Sequence, residues 1–406
     1  MQKKFNFKIV IQSSSISWQG GTDRSMEIIN GKPVIHWIIS KALRNWPESK
    51  ISLTVPVRDK SSKLSQIVDK IKSPNFDVVW GPENSVLKRL ILATNDMGED
   101  DYFIRILGVH YFFSPNITEK LLRHVSKDRC CWAKPPDDFE TQLSSEVIKV
   151  GSLRKLEHLL SKERLNDENI IRITPVNFIA SNPKIFPGHI VQHLPKINKK
   201  LKLKMRREAR KIFRIERSKI NTNNIVPDGD QILFHYQVAL NHINRADKVL
   251  DIACGEGFGT KLIANKALFA VGSDLDNVVI KFAREKNFEK NIIYVVSDAT
   301  RTPFPDMAFD SILSMETIEH VNPFRFLKEM SRILKNDGTI IISTPQNRDG
   351  KIPINPFHNR EYSLKEIEAL VKRYFKIQNI IGIKSGRLIV KDDPIGTNSM
   401  IFAKKI

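Results

Sequence analysis

Short apolar runs recur through both halves of the 406-residue chain, and each gives way to small, polar or acidic residues before helical spacing begins. In the second half the first run, Val249-Leu-Asp-Ile-Ala253, breaks at Gly255, Gly257 and Gly259 and resumes as Lys261-Leu-Ile-Ala. That pattern predicts a buried strand, a tight turn and a helix. Further runs follow at Leu268–Asp274, Asn291–Ser297, Phe309–Met315 and, after an Asp337-Gly338 turn, Thr339–Ser343. The first half repeats the theme with Phe7–Gln12, Ile51–Val55, Phe76–Trp80 and Tyr102–Ile106, separated by helical patterns such as Val86–Thr94. Strands alternating with helices predict α/β architecture with a parallel sheet in each half.

The strand ends of the second half carry the candidate chemistry. Glycines at a strand-to-helix turn let the main chain bend sharply and let a ligand lie against bare backbone, while N–H groups at the helix start can face a polar group. A glycine triplet alone does not decide the matter, because many turns are glycine-rich for steric reasons. Here Asp274 ends the next run about twenty residues downstream, where a doubly wound fold places the carboxylate that takes ribose hydroxyls. Asp298 and Glu316 close the following two runs, so glycines and acids occupy successive strand ends.

On these residues, the segment from about 225 to 406 resembles the class I S-adenosylmethionine-dependent methyltransferases. Asp251, Gly255, Gly257 and Gly259, with Ala253 and Cys254 among them, look like that family's D-x-x-x-G-x-G-x-G loop around the methionine part of S-adenosyl-L-methionine. Asp274 with Leu275 matches the ribose position, Asp298 with Ala299 the loop beside the adenine, and Met315 with Glu316 the strand end next to the transferred methyl. Ala253 stands where many relatives have glycine, a position where a missing Cβ is expected to matter least. Gln231–Tyr236 resembles the lead-in helix that roofs the cofactor pocket, which brings in His235 and Tyr236. The resemblance implies a Rossmann-like, seven-stranded fold over residues 229–406 and S-adenosyl-L-methionine as cofactor.

That cofactor carries its own leaving group, so the protein must align an acceptor and, for an alcohol, remove a proton. Glu316, Glu319 and His320 lie in Met315-Glu-Thr-Ile-Glu-His320, and His358 follows in Pro356-Phe-His358. If the chain turns helical after Met315, Glu316 and His320 share a face. Glu319, His320 and His358 are the candidate catalytic residues, with His320 or His358 as general base. The alternative is local capping by Glu319 and His320. Glu-x-x-Glu-His with a distant His also resembles the metal site of small-RNA 2′-O-methyltransferases. Because Glu-His occurs here in metal-free relatives too, no metal ligand is assigned.

Residues 1–190 resemble the cytidylyltransferases of surface-sugar biosynthesis and their spore-coat polysaccharide relatives. The likeness rests on Ile9–Gln12, Asn30-Gly-Lys-Pro33, Gly81–Arg89, Ile104–Gly108 before Ser114-Pro115, and Ile173–Phe178 before Asn182-Pro183. The cations and carboxylates of an active member are missing. Its first loop reads Gly20-Gly-Thr-Asp-Arg24 with one cation, its Thr-Gly-Asp reads Leu107-Gly108-Val109, and Ser144 replaces a carboxylate before Glu146. A divalent ion cannot be held near two phosphates without hard oxygen ligands. This second Rossmann-like domain is therefore expected not to transfer nucleotides.

Composition and charge refine the picture. Forty-one per cent hydrophobic and 27% charged residues are ordinary for globular domains. A net charge of +20 favours acidic partners, and Lys199–Lys219 concentrates it with eleven Lys or Arg against two Glu. Leu201, Met205, Ala209, Ile212 and Phe213 recur at helical spacing, so residues 191–228 are expected to form a basic helical linker with a boundary at Asn221–Gly229. The alternative is docking to a phosphate-bearing substrate, nucleic acid or anionic lipid; with few interleaved aromatics, nucleic acid is disfavoured. Three cysteines give no disulfide framework, and the N-terminal apolar run is too short for a signal peptide, so a soluble cytoplasmic protein is expected. Together these readings point to O-methylation of a sugar or glycan precursor, nucleotide-linked or not. The alternatives are RNA 2′-O-methylation and a non-catalytic sugar-nucleotide-binding scaffold.

Overall fold

The computed structural model describes residues 6–16, 23–162, 171–172, 174–195, 197–212, 231–384 and 388–406. The chain divides into two compact units, Met1–Arg214 and Ile215–Ile406. The boundary stretch Asn221–Gly229, the glycine pair Gly20-Gly21, Ile173 and Phe213 lie outside the described residues.

The first unit contains β1 (Phe7–Gln12), β2 (Ile28–Ile29), β3 (Lys32–Pro33), β4 (Ile51–Pro56), β5 (Phe76–Gly81), β6 (Tyr102–Leu107), β7 (Trp132–Lys134), β8 (Glu146–Lys149) and β9 (Gly188–Ile190). Its main sheet runs β5-β4-β1-β6-β8-β7-β9. The expected parallel pairing holds for β5-β4-β1-β6. It fails beyond β6, where β8 runs antiparallel to both β6 and β7, so the sheet is mixed. The physical reason is connection length: residues 135–145 hold only a short 3-10 turn, too little for the crossover a parallel return requires. Ile9, Val10 and Ile11 are all fully buried, as a strand covered on both faces demands. Asn30 and Gly31, both at positive φ (47° and 77°), form the two-residue hairpin turn between β2 and β3.

The basic helix spans Lys199–Ile212 and lies within the first unit against β2. Its buried stripe is Lys202, Met205 and Ala209, whereas Leu201, expected on that stripe, is 45% exposed.

The second unit contains β10 (Lys248–Ile252), β11 (Phe269–Asp274), β12 (Ile292–Val296), β13 (Phe309–Met315), β14 (Leu334–Pro345), β15 (Phe375–Lys384), β16 (Leu388–Ile389) and β17 (Asn398–Lys405). The order is β12-β11-β10-β13-β14-β17-β15-β16, with β10 to β14 parallel and β17 inserted antiparallel between β14 and β15. The expected seven strands gain an eighth, the two-residue edge strand β16. Asp337-Gly338, expected as a turn before the fifth strand, instead interrupts β14: Phe309 faces Leu334, and Ser311 already faces Thr339. Leu250 and Ile252 pack into one apolar cluster and Val249 into another, so this sheet is buried on both sides.

Candidate active site

Parallel register brings the strand ends to one edge. Ile252 lies opposite both Ser273 and Ser314, Asp274 opposite Val296, and Met315 opposite Ser343. Ala253, Asp274 and Glu316 therefore leave adjacent strands side by side. The chain bends sharply after β10, with Ala253, Gly255 and Gly257 at φ 59°, 55° and 82°. Ala253 was expected to be indifferent to its side chain. In fact it holds a left-handed conformation that favours glycine and costs an L residue roughly 1 kcal/mol.

The three glycines do different things. A Cβ on Gly255 would meet nothing within 4 Å, whereas one on Gly257 would lie 2.6 Å from the Tyr294 hydroxyl and one on Gly259 2.1 Å from the Tyr236 ring. Gly255 alone leaves bare backbone open to a ligand; Gly257 and Gly259 are required by packing. Asp251 is fully buried, accepting from the Tyr236 hydroxyl at 2.8 Å and from Thr260 Oγ1 at 2.6 Å. Burial pushes its carboxyl up to about 7. It locks the loop onto the helix Phe258–Ala264 rather than facing outward. Cys254 and Met315, expected beside the cofactor, have their side chains in the core.

Asp274 does face the loop. One carboxylate oxygen accepts from the Gly255 N–H at 3.1 Å and the other from the Asp276 N–H at 2.9 Å. Leu275 is 71% exposed beside it, Asp298 is exposed and turns back onto Thr300, and Ala299 is partly buried against the core. An open glycine backbone hydrogen-bonded to a half-buried carboxylate suits a ligand that presents hydroxyls.

Glu316 leaves β13 at φ 53°. Its N–H donates to Ser343, its Oε1 accepts from Ser343 Oγ at 2.8 Å, and its Oε2 accepts from Asn398 Nδ2 at 2.9 Å. His235 Nδ1 lies 3.2 Å from the same hydroxyl. Burial pushes His235 down to about 4, so it is neutral, and because Ser343 gives its proton to Glu316, His235 Nδ1 is the donor.

Residues 317–320 form a turn, and the next helix starts only at Pro323, capped by Asn322. The expectation that Glu316 and His320 share a helical face is thereby corrected. What the turn brings together is Glu319, His320 and His358. Glu319 is fully buried; its Oε2 accepts from Thr344 Oγ1 at 2.9 Å, while no described donor reaches Oε1. Burial, with Glu316 nearby, holds its carboxyl well above the usual range. The rings of His320 and His358 meet edge to face at 5.0 Å. Sequence reasoning missed Ser343, Thr344, Asn398 and Glu361, which hold these groups. The hydroxyl pair closing the Ile340–Ile342 run was the one available signal.

In the first unit, no carboxylate follows β6 at Gly108-Val109. Glu146 engages Arg105 at 2.6 Å, and Ser144 Oγ donates to the Thr141 carbonyl.

Residues 250–342 match the model of the methyltransferase domain family. A "Probable S-adenosylmethionine-dependent methyltransferase" of Mycolicibacterium smegmatis is 30% identical over 38% of this chain and 62% of its own length. A protein of the same description from Mycobacterium tuberculosis is 32% identical over 31% of this chain and 47% of its own. A solved Pyrococcus horikoshii protein aligns over 43% of this chain and 90% of its own at 22% identity, with a TM-score of 0.36. The family model and these curated relatives support a class I S-adenosylmethionine-dependent methyltransferase domain within the second unit. The chain spans about half to three-fifths of the length of these curated relatives.

Proposed function

We propose that this protein transfers a methyl group from S-adenosyl-L-methionine to a hydroxyl of a sugar or glycan precursor. The observation that carries the methyl-transfer reading is the open Gly255 backbone bonded to Asp274, on the same sheet edge as Glu316. When bound, the cofactor supplies an electrophilic methyl on a sulfonium sulfur. In this reading Asp274 takes the ribose hydroxyls, Leu275, Asp298 and Ala299 border the adenine, and Glu316, fixed by Ser343 and Asn398, borders the methyl. His320, whose Nδ1 donates to the Phe357 carbonyl at 3.1 Å, turns a basic Nε2 toward the acceptor and receives its proton.

Support for a sugar acceptor comes from the first unit, whose sequence resembles sugar-activating nucleotidyltransferases but whose metal-binding positions hold Gly108-Val109 and Ser144. In this reading that unit binds without transferring nucleotides. The test is incubation with labelled cofactor and separate pools of sugar nucleotides, lipid-linked glycans and RNA. Label is expected in a glycan pool; label in RNA alone would replace the sugar assignment, and Asp274→Ala should reduce either.

A further inference from the structure

Glu319 Oε1 is a fully buried carboxylate oxygen that no described donor reaches. His320 Nε2 lies 4.0 Å away. His358 contributes the third atom, and one ligand atom from each of Glu319, His320 and His358 falls within 4.8 Å of the others.

The tautomers follow from the partners. The Phe357 carbonyl can only accept, so His320 Nδ1 carries the hydrogen and Nε2 a lone pair. Asn355 Oδ1 accepts from the Phe357 N–H at 3.1 Å, so its Nδ2 is the group that donates to His358 Nε2 at 2.9 Å. His358 Nδ1 then donates to Glu361 Oε1 at 2.6 Å. Both imidazoles therefore have Nδ1–H pinned to an oxygen, one of them a carboxylate, with Nε2 basic. That is how metal-binding histidines are oriented from behind.

We propose that Glu319, His320 and His358 bind a divalent first-row transition-metal ion. Two imidazoles and one carboxylate suit zinc, cobalt, iron or manganese rather than calcium or magnesium, which demand oxygen ligands. The ion takes the place of the Asn355 amide hydrogen on His358 Nε2 and satisfies Glu319 Oε1. Glu316 is not a ligand: both its oxygens hold hydrogens from Ser343 and Asn398. The site is thus a three-residue set, not the two-carboxylate, two-imidazole set that the sequence pattern suggested as an alternative. With the ion bound, His320 is a ligand instead of the base proposed above, and the open coordination positions lower the pKa of an acceptor hydroxyl. This last clause alone rests on the methyl-transfer reading.

The test uses the full chain, stripped with chelator and titrated with Co²⁺ and Zn²⁺ in the absence of cofactor. Bound ion is read by elemental analysis and by the visible spectrum of Co²⁺. About one ion per chain is expected, with affinity at least ~10-fold weaker in His320→Gln and His358→Gln, and ~10-fold weaker in the positioning variant Glu361→Gln. Glu319 is buried and its replacement can unfold the unit; half-exposed His320 carries the test if so, with circular dichroism as the fold control. Stoichiometry near zero in the folded wild type overturns the proposal, as does undiminished binding by both histidine variants. Neither result bears on the methyl-transfer reading, which is tested by cofactor binding and methyl transfer.

Discussion

The Tyr236 hydroxyl donates to Asp251 at 2.8 Å while the Tyr236 ring covers the face of Gly259, where a Cβ would sit 2.1 Å from it. One side chain from the lead-in helix Gln231–Leu240 therefore fixes both the acid near the end of β10 and the helix that follows the turn. Gly259→Ala should overpack this contact and lower stability by about 1–3 kcal/mol. Tyr236→Phe keeps the ring but leaves a buried carboxylate oxygen without its donor, costing about 1–3 kcal/mol. Denaturant titration checks both, and no loss in either variant would show that this contact does not hold the loop.

Asp251 also makes stability depend on pH. Its folded pKa, raised by burial from 3.8 to about 7, means that between those values the fold keeps a proton that the unfolded chain has released. Stability contributed through this group therefore falls as pH rises from about 4 to about 7 and is level above. Asp251→Asn should remove that part of the slope. Melting temperatures of both proteins at several pH values should converge toward the acid end and separate toward pH 7.

Ala253 sits at φ 59° in the same turn. Ala253→Gly is expected to keep the fold and raise stability by up to about 1 kcal/mol, because relief of left-handed strain outweighs the added freedom of the unfolded chain. Destabilisation in the same denaturant titration would contradict the strain.

Ser343 serves three hydrogen bonds, accepting from the Glu316 N–H and His235 and donating to the Glu316 carboxylate. Ser343→Ala leaves the buried His235 Nδ1–H without an acceptor and should cost about 1–3 kcal/mol. It also releases Glu316 from its fixed position, and a tenfold fall in methyl transfer, about 1.4 kcal/mol, is expected. Unchanged turnover would remove Glu316 from the account.

Most of the second unit was legible because its central strands are buried on both faces and read as largely apolar runs, from Val249 to Ile342. Positions ending those runs, such as Asp274 and Glu316, are chemical by type. What a linear pattern does not carry is which side of the turn each residue takes. Gly255, Gly257 and Gly259 look equivalent in sequence, yet only Gly255 is open, because Tyr294 and Tyr236 arrive from distant segments to cover the others. Asp251 and Cys254 read as ligand-facing for the same reason. The cluster of Glu319, His320 and His358 was partly legible: its members were named, but their convergence depends on Glu361 and Asn355 fixing His358, and on the turn before Pro323. In the first unit, alternation failed after β7, where the short connection to β8 leaves no room for a crossover.

The central claim is that the Gly255 backbone and Asp274 together hold an adenosyl ligand. Isothermal titration calorimetry of the intact, folded chain with S-adenosyl-L-methionine tests it most directly. One binding event per chain is expected, weakened at least about tenfold, or about 1.4 kcal/mol, by Asp274→Ala. Absence of measurable binding to the folded wild type, or equal affinity in Asp274→Ala, would contradict it.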